Sequence, residues 1–368
     1  MFDLYHVGDY TLKREKGSGS FSNVYAAVHN ILEKPVAIKS ISKSSEQDAL
    51  DHFHKEVEIL TKLDHPYILK SFESFEDSDN FYHVTELVER GSLYDYVNLK
   101  GPLSEQETKY IFSQILSTIE YLHMKKHIVH RDLKLENILL DRDRKIRLID
   151  FGFSEVFDEN KLFDQMVGSP AYVAPELALG APYDITVDVW SLGVILYAMT
   201  VGRLPFLGST IEIQLKRVVL IEPFYPPTLS VVLIDLMKKL LQKDPVQRIK
   251  ISEIRKHPWL NSFENNDQQI VALYNEEMAK KDEEIIREIE IKSDFDVEND
   301  PHAQVMYNIL HLFQIRKEIH SFILREKSSQ RPAKINNENT NENFTPTTSP
   351  NKRAVKKHQP PAALNTHV

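Results

Sequence analysis

The chain of 368 residues contains no cysteine. Disulfides, thiolate zinc sites and thiol nucleophiles are therefore excluded. It has no excess of positive charge: 45 Lys and Arg stand against 54 Asp and Glu, a net charge of −9, with a pI near 5.9. That balance argues against a nucleic-acid partner. It has no apolar run long enough to span a membrane. The most apolar helical stretch, Val187 to Met199, carries Asp188 and falls short of the ~20 residues a bilayer requires, so it reads as a buried core helix. The opening MFDLYHVGDY lacks a basic segment followed by an apolar one, so no secretory signal is read there. A cytoplasmic location fits these absences. One further absence is local: no Ser, Thr or Tyr lies between Ser154 and Ser169. The overall proportions, 42% apolar and 27% charged, are ordinary for a soluble globular protein.

What is present centres on the octet HRDLKLEN, His130 to Asn137. Asp132 is a carboxylate able to accept a proton from a hydroxyl nucleophile. Lys134 offers a point charge two residues on, and the amide oxygen of Asn137 is a hard ligand suited to Mg²⁺. A base, a cation and a metal ligand at this spacing fit phosphoryl transfer, which depends on positioning and charge neutralisation. Alone, the octet also fits a charged surface turn.

Other stretches add to it. Gly17 to Phe21 (GSGSF) lies between two extended runs, and VAIK, Val36 to Lys39, forms a third. Glycines there let backbone N–H groups approach phosphate oxygens, although many hairpin turns are equally rich in Gly and Ser. Residues 46 to 63 predict a helix with apolar Leu50, Phe53, Val57, Leu60 and Leu63 at helical spacing, and Glu56 lies beside that stripe. Ile68 to Phe75 and Phe81 to Glu86 predict strands. SEQE, Ser104 to Glu107, is a capping-box pattern before a helix that buries Ile111, Ile115, Ile119 and Leu122. His123 and His127 have no implied carboxylate or cysteine partner and read as solvated or satisfied histidines. Strands Ile138 to Leu140 and Ile146 to Ile149 lead to DFG, Asp150 to Gly152, and then to GSPAYVAPE, Gly168 to Glu176.

In this order the motifs resemble the eukaryotic protein kinases over residues 10 to 263. The resemblance implies an α+β, bilobal protein kinase fold. A leader of residues 1 to 9 would precede a small five-stranded antiparallel β lobe with one helix (10 to 86), a hinge (87 to 91) and a large helical lobe (92 to 263). It implies transfer of the γ-phosphate of ATP, with Mg²⁺, to Ser or Thr hydroxyls of protein substrates. Gly17, Ser18, Gly19, Ser20 and Phe21 would cover the phosphates. Lys39, held by Glu56, would pair with the α/β-phosphates. Backbone groups of Glu86 and Val88 would meet adenine, sandwiched by Val24, Ala37 and Leu139, behind a small gatekeeper, Thr85. Asp132 would orient and deprotonate the substrate, assisted by Lys134, and Asn137 and Asp150 would ligate Mg²⁺. Leu60 would pack on Phe151, Asp188 would hold the catalytic-loop backbone, and Glu176 would pair with Arg248. KLEN points to Ser/Thr specificity. DFGFS, GSPAYVAPE and HPWL are similar to the calcium/calmodulin-dependent kinase group, in its AMP-activated-kinase-like branch. The rival reading, a pseudokinase scaffold, expects loss of the lysine, the base or a metal ligand, and all are present.

Four positions depart from the family pattern. Ser22 replaces the third loop glycine. Lys16 stands where an apolar lid is usual, though its methylene stem can still cover adenine. Ser92 stands where relatives carry a glutamate that contacts ribose. The usual activating threonine falls on Gln165, so either Arg131 goes unpaired, with the loop ordered by packing of Leu162, Phe163 and Met166, or a built-in carboxylate takes the phosphate's place, with Asp164 the best candidate and Asp158 and Glu159 further up the loop. Residues 264 to 330 are charged with helical patches, and Asp294 to Leu312 resembles the end of a ubiquitin-associated-like domain. A set of packing helices is the competing reading. Residues 331 to 368 read as disordered. KRAVKK, Lys352 to Lys357, is either a solvated basic tail or a patch for nuclear import or anionic lipid.

Overall fold

The computed structural model describes residues 5–18, 22–158, 161–261, 266–293 and 296–329. The first strands bury short apolar runs, such as Val36 to Ile38, while Lys13 to Ser18 stay exposed. The strands are β1 (His6–Val7), β2 (Tyr10–Ser18), β3 (Ser22–His29) and β4 (Pro35–Ser42). The helix α1 (Gln47–Thr61) follows, then β5 (Ser71–Glu76) and β6 (Asn80–Glu86). The strands form one sheet in the order β1-β2-β3-β4-β6-β5, antiparallel throughout. The sheet has one strand more than expected. His6 and Val7 fold back on Thr11 and Tyr10 through Gly8, whose φ of 55° suits glycine, so residues assigned to a leader join the sheet. β5 begins later than predicted because Ile68 bridges to Leu148 and Leu69 donates to the Leu148 carbonyl. That stretch ties the sheet to the following lobe instead.

The second lobe begins with α2 (Leu93–Lys100) and α3 (Glu105–Tyr121), and then the short strands β7 (Ile128–Val129), β8 (Ile138–Leu140), β9 (Ile146–Leu148) and β10 (Glu155–Val156). Ser104 caps α3 through the Glu107 amide. The Glu107 carboxylate turns away to Tyr96 and Lys100, so only half of the capping box forms. Next come α4 (Pro175–Ala178) and α5 (Thr186–Val201). α5 is buried from Val187 to Thr200, as an all-round apolar helix must be. α6 (Ile211–Leu220), α7 (Val231–Leu240), α8 (Ile251–Ile254) and α9 (Pro258–Asn261) surround it. Arg248, fully buried, pairs through both terminal nitrogens with Glu176 at 2.7 and 2.9 Å.

Three further helices follow: α10 (Asp267–Met278), α11 (Glu283–Ser293) and α12 (Pro301–Ser329). Their apolar stripes, including Ile270, Ile289, Ile309 and Ile315, are buried. α12 runs behind the segment that joins the lobes. Arg316 donates to the Pro66 carbonyl at 2.8 Å and to both oxygens of Glu86 at 2.9 and 3.2 Å. His320 lies 2.6 Å from Asp143 of the second lobe, and Tyr274 of α10 donates to Asp64 at 2.7 Å. The basic stretch Lys352 to Lys357 lies outside the described residues.

Candidate active site

The octet His130 to Asn137 is held by α5. Asp188, fully buried, accepts from the backbone amides of His130 at 2.8 Å and Arg131 at 2.9 Å. Its Oδ2 also lies 2.8 Å from Nε2 of His123. His123 thus has a buried carboxylate partner that sequence spacing did not disclose. Burial opposes the charge of Asp188, but these hydrogen bonds and the neighbouring histidines outweigh it and hold its carboxyl below the usual range. Arg131 takes a left-handed φ of 68° and Asp150 one of 63°. Both are non-glycine residues in a sparsely populated region, a strain of ~1–3 kcal/mol each that surrounding contacts must sustain.

The carboxylate of Asp132 is buried and fixed from several sides. Lys134 Nζ donates to it at 2.8 Å and Asn137 Nδ2 at 3.1 Å. The Ser169 amide and hydroxyl both donate to its Oδ1 at 2.8 Å. Lys134 Nζ also donates to Ser169 Oγ at 2.8 Å. Burial raises the Asp132 carboxyl, but Lys134 and the bonds from Lys134 and Ser169 outweigh it and hold it below the ordinary value. Ser169 reaches this place because residue 168 is glycine. Gly168 has a φ of 96°, and a Cβ there would lie 2.5 Å from the Arg131 carbonyl oxygen. Sequence reading took Gly168 and Ser169 only as the start of GSPAYVAPE and missed the direct bond to Asp132. The adjacent GSP pattern carried no signal for it.

Across the cleft, β4 delivers Lys39 into an ion pair with buried Glu56 of α1. Burial works against the lysine's charge, but Glu56 and Asp150 outweigh it and hold the ammonium charged. Phe151 is fully buried and meets His130 edge-on at 5.0 Å. Leu60 is buried in the same core. Asn137 commits its amide nitrogen to the Asp132 carbonyl and carboxylate, so its oxygen is the group available to a cation. Among the described residues no cluster of three or more acidic, His or Cys side chains forms a ready-made metal site. The oxygen donors Asn137 and Asp150 suit a Mg²⁺ that completes its shell with phosphate and water.

Cross-strand register sets the side expected to face adenine. Val24 stands opposite Lys39, Ala37 opposite Thr85 and Val36 opposite Glu86. Buried Val88 lies in the connecting segment, which is pinned to β8: Leu140 donates to the Gly91 carbonyl, and Leu139 bridges Ser92. The Glu86 side chain points away to Lys70 N, Arg147 and Arg316. Lys16 Nζ reaches the Glu89 carbonyl at 3.4 Å, so this lid residue spans the cleft. Ser92 is committed to an N-cap of α2 with Asp95. Gly17 and Ser18 end β2, with Gly17 opposite Val24. Gly19, Ser20 and Phe21 lie outside the described residues.

The structure corrects the expectation for Arg131. Asp164 is exposed, and the carboxylate at Arg131 is that of Glu155, 3.4 Å from Nη2. Arg131 also donates to the Phe153 carbonyl at 2.6 Å and to Tyr183 Oη at 3.4 Å, and it lies over the Phe163 ring. Tyr183 Oη donates to the backbone of Gln165. Of the apolar loop residues Phe163 packs inward, bridging Tyr183, while Leu162 and Met166 are exposed.

The protein kinase domain family matches residues 10–260. The chain is 39% identical over 284 residues to the SNF1-related protein kinase catalytic subunit alpha KIN12 of Arabidopsis thaliana, covering 76% of this chain and 57% of that protein. It is 37% identical over 287 residues to the serine/threonine-protein kinase SIK2 of Gallus gallus, covering 76% and 36%. It is 40% identical over 258 residues to the serine/threonine-protein kinase SIK1 of Mus musculus, covering 70% and 33%. The matched stretch thus spans between a third and just over half of these relatives' own length. With the two lobes, the paired Lys39 and Glu56 and the caged Asp132 all inside the matched region, the chain belongs to the protein kinase family.

Proposed function

We propose that the chain is an active protein serine/threonine kinase that transfers the γ-phosphate of ATP to Ser or Thr hydroxyls of protein substrates. The observation that carries this is the geometry of the two half-sites together: Lys39 is paired with Glu56, and Asp132 is an oriented carboxylate beside Lys134, which favours its charged form. In this reading Asp132 accepts the hydroxyl proton and aims the oxygen, and Lys134 balances charge on the transferred group. Lys39 positions the phosphates. Asn137 and Asp150 would hold Mg²⁺, which neutralises phosphate charge when bound. Val24, Ala37, Leu139 and the backbone of Glu86 and Val88 take the adenine, and Gly17 to Phe21 cover the phosphates. No helix of the described residues is long and apolar enough to cross a membrane. We assign residues 264 to 330 to a packing extension, a reading supported by the buried faces of α10 to α12. Protein substrates, a cytoplasmic site of action and regulatory partners of the full protein belong to this proposal.

Incorporation of labelled phosphate into a degenerate Ser/Thr peptide array tests it. The parent should label peptides in a Mg²⁺-dependent manner and Asp132→Asn should not. Nucleotide binding by a parent that never labels any peptide would favour a pseudokinase scaffold.

A further inference from the structure

The loop from Glu155 to Gly168 has no hydroxyl to phosphorylate, yet Arg131, the basic group expected to meet a loop phosphate, is occupied, and so is Lys55 beside it. Lys55 Nζ lies 2.6 Å from Glu155 Oε2, and Arg131 Nη2 lies 3.4 Å from the same oxygen. The two cations have informative neighbours. Lys55 immediately precedes Glu56 on α1, and Arg131 immediately precedes Asp132. One carboxylate oxygen therefore bridges the residue beside the lysine-holding glutamate to the residue beside the base. We infer that Glu155 is a positioning residue that does permanently what a loop phosphate does conditionally: it ties α1 to the catalytic loop and keeps the Lys39–Glu56 pair assembled without an upstream kinase.

Its backbone is fixed for the task. Glu155 sits in β10, directly opposite Val129 of β7, just ahead of the catalytic octet. The Arg131 side chain is 2% exposed, so it has little water to turn to, whereas Glu155 is 40% exposed and Lys55 33%. The bridge is a rim contact anchored on a buried arginine. A second contact runs parallel to it: His52 of α1 packs on the Phe153 ring at 4.5 Å, and Phe153 gives its carbonyl to Arg131. A carboxylate carries less charge and fewer acceptor oxygens than a phosphate, so the tie is weaker but always present.

The inference rests on the kinase reading, and its test separates the two. Full-chain protein made in bacteria and treated with phosphatase is compared with Glu155→Gln, Lys55→Gln and the double variant. The parent should be active. Each single variant should lose about tenfold in kcat/KM, a partly exposed charge-assisted contact, and the double variant should lose no more than the larger single loss. Amide exchange over residues 47 to 61 should quicken in all three. Glu155→Asp, which keeps the charge on a shorter stem, should retain more activity than Glu155→Gln and guards against a folding artefact. Titrated sulfate should restore activity to Glu155→Ala by filling the gap between Lys55 and Arg131. Parent-like activity and exchange in Glu155→Gln, additive losses in the double variant, or indifference of Glu155→Ala to sulfate overturns the inference. A phosphatase-treated parent that is inactive until an upstream kinase is added also overturns the inference; a parent inactive under both conditions fails the kinase reading instead, and the exchange of α1 still decides this one.

Discussion

Removing the Arg316 guanidinium should destabilise the fold by an amount that depends on pH. Arg316 gives two hydrogen bonds to the Glu86 carboxylate and one to the Pro66 carbonyl, and its side chain is 20% exposed against 11% for Glu86. Breaking a buried ion pair from one side costs ~3–5 kcal/mol when the surviving charge is orphaned. Glu86 would not be orphaned. It retains Arg147 at 3.1 Å and the Lys70 amide at 3.0 Å. About 2 kcal/mol is therefore expected for Arg316→Ala, close to one charge-assisted hydrogen bond. At roughly 2 °C per kcal/mol for a large domain, the melting temperature should fall by about 4 °C at pH 7. Burial pushes the Glu86 carboxyl up, but Arg316 and Arg147 outweigh it and hold the value below that of an ordinary glutamate. A depressed folded value means that the stabilisation is complete above the unfolded pKa, about 4.3, and is lost as pH falls through the folded value. The gap between parent and variant should thus be widest at neutral pH and narrow below about pH 4. Differential scanning fluorimetry across pH, with Arg316→Met as a control that keeps much of the stem, reads this directly. A shift under 1 °C at pH 7 would show the pair to be energetically idle. A gap that does not change with pH, reproduced by Arg316→Met only in part, would place the loss in packing and refute the charge argument.

Other outcomes follow from the site. Asp132→Asn should keep the fold and ATP affinity but lower kcat by several orders of magnitude, measured by steady-state peptide phosphorylation; a rate within tenfold of the parent would remove its role as base. Asp150→Ala should abolish most of the Mg²⁺-dependent part of ATP stabilisation in a thermal-shift titration, and an unchanged shift would move the metal elsewhere. Gly168→Ala should lower kcat sharply because its Cβ meets the Arg131 carbonyl at 2.5 Å, displacing Ser169 from Asp132; a parent-like rate would show that the loop tolerates the shift. Arg248→Ala should cost ~3–5 kcal/mol by leaving buried Glu176 without its partner, and urea unfolding with an unchanged midpoint would contradict that.

The sequence disclosed what is encoded in short contiguous patterns. HRDLKLEN, VAIK and DFG each specify a local backbone whose chemistry can be read residue by residue, and two-fold and helical periodicities located most strands and α1. What it hid are relations between distant residues. Glu155 was indistinguishable from any charged residue after DFGFS, since only the pairing of β10 with β7 brings it to Arg131. Asp164 appeared better because it lies beside the position of the missing threonine, but nearness in sequence to that position is not nearness to Arg131. His123 found its carboxylate 65 residues away. The strand at His6 was concealed because two residues give no periodicity, and its pairing depends on the turn at Gly8.

The placement of α12 has a mechanical consequence. Arg316 grips the first lobe at Pro66 and Glu86, and His320, one turn further along, meets Asp143 of the second. The helix is a splint laid across the joint about which the lobes turn. Opening the cleft must shear at least one of these contacts or carry α12 along, so a segment beyond the catalytic core adds to the bending stiffness at the hinge. For the proposed kinase, wherever product release governs turnover, the tempo is then shared by a helix that lies outside the candidate active site.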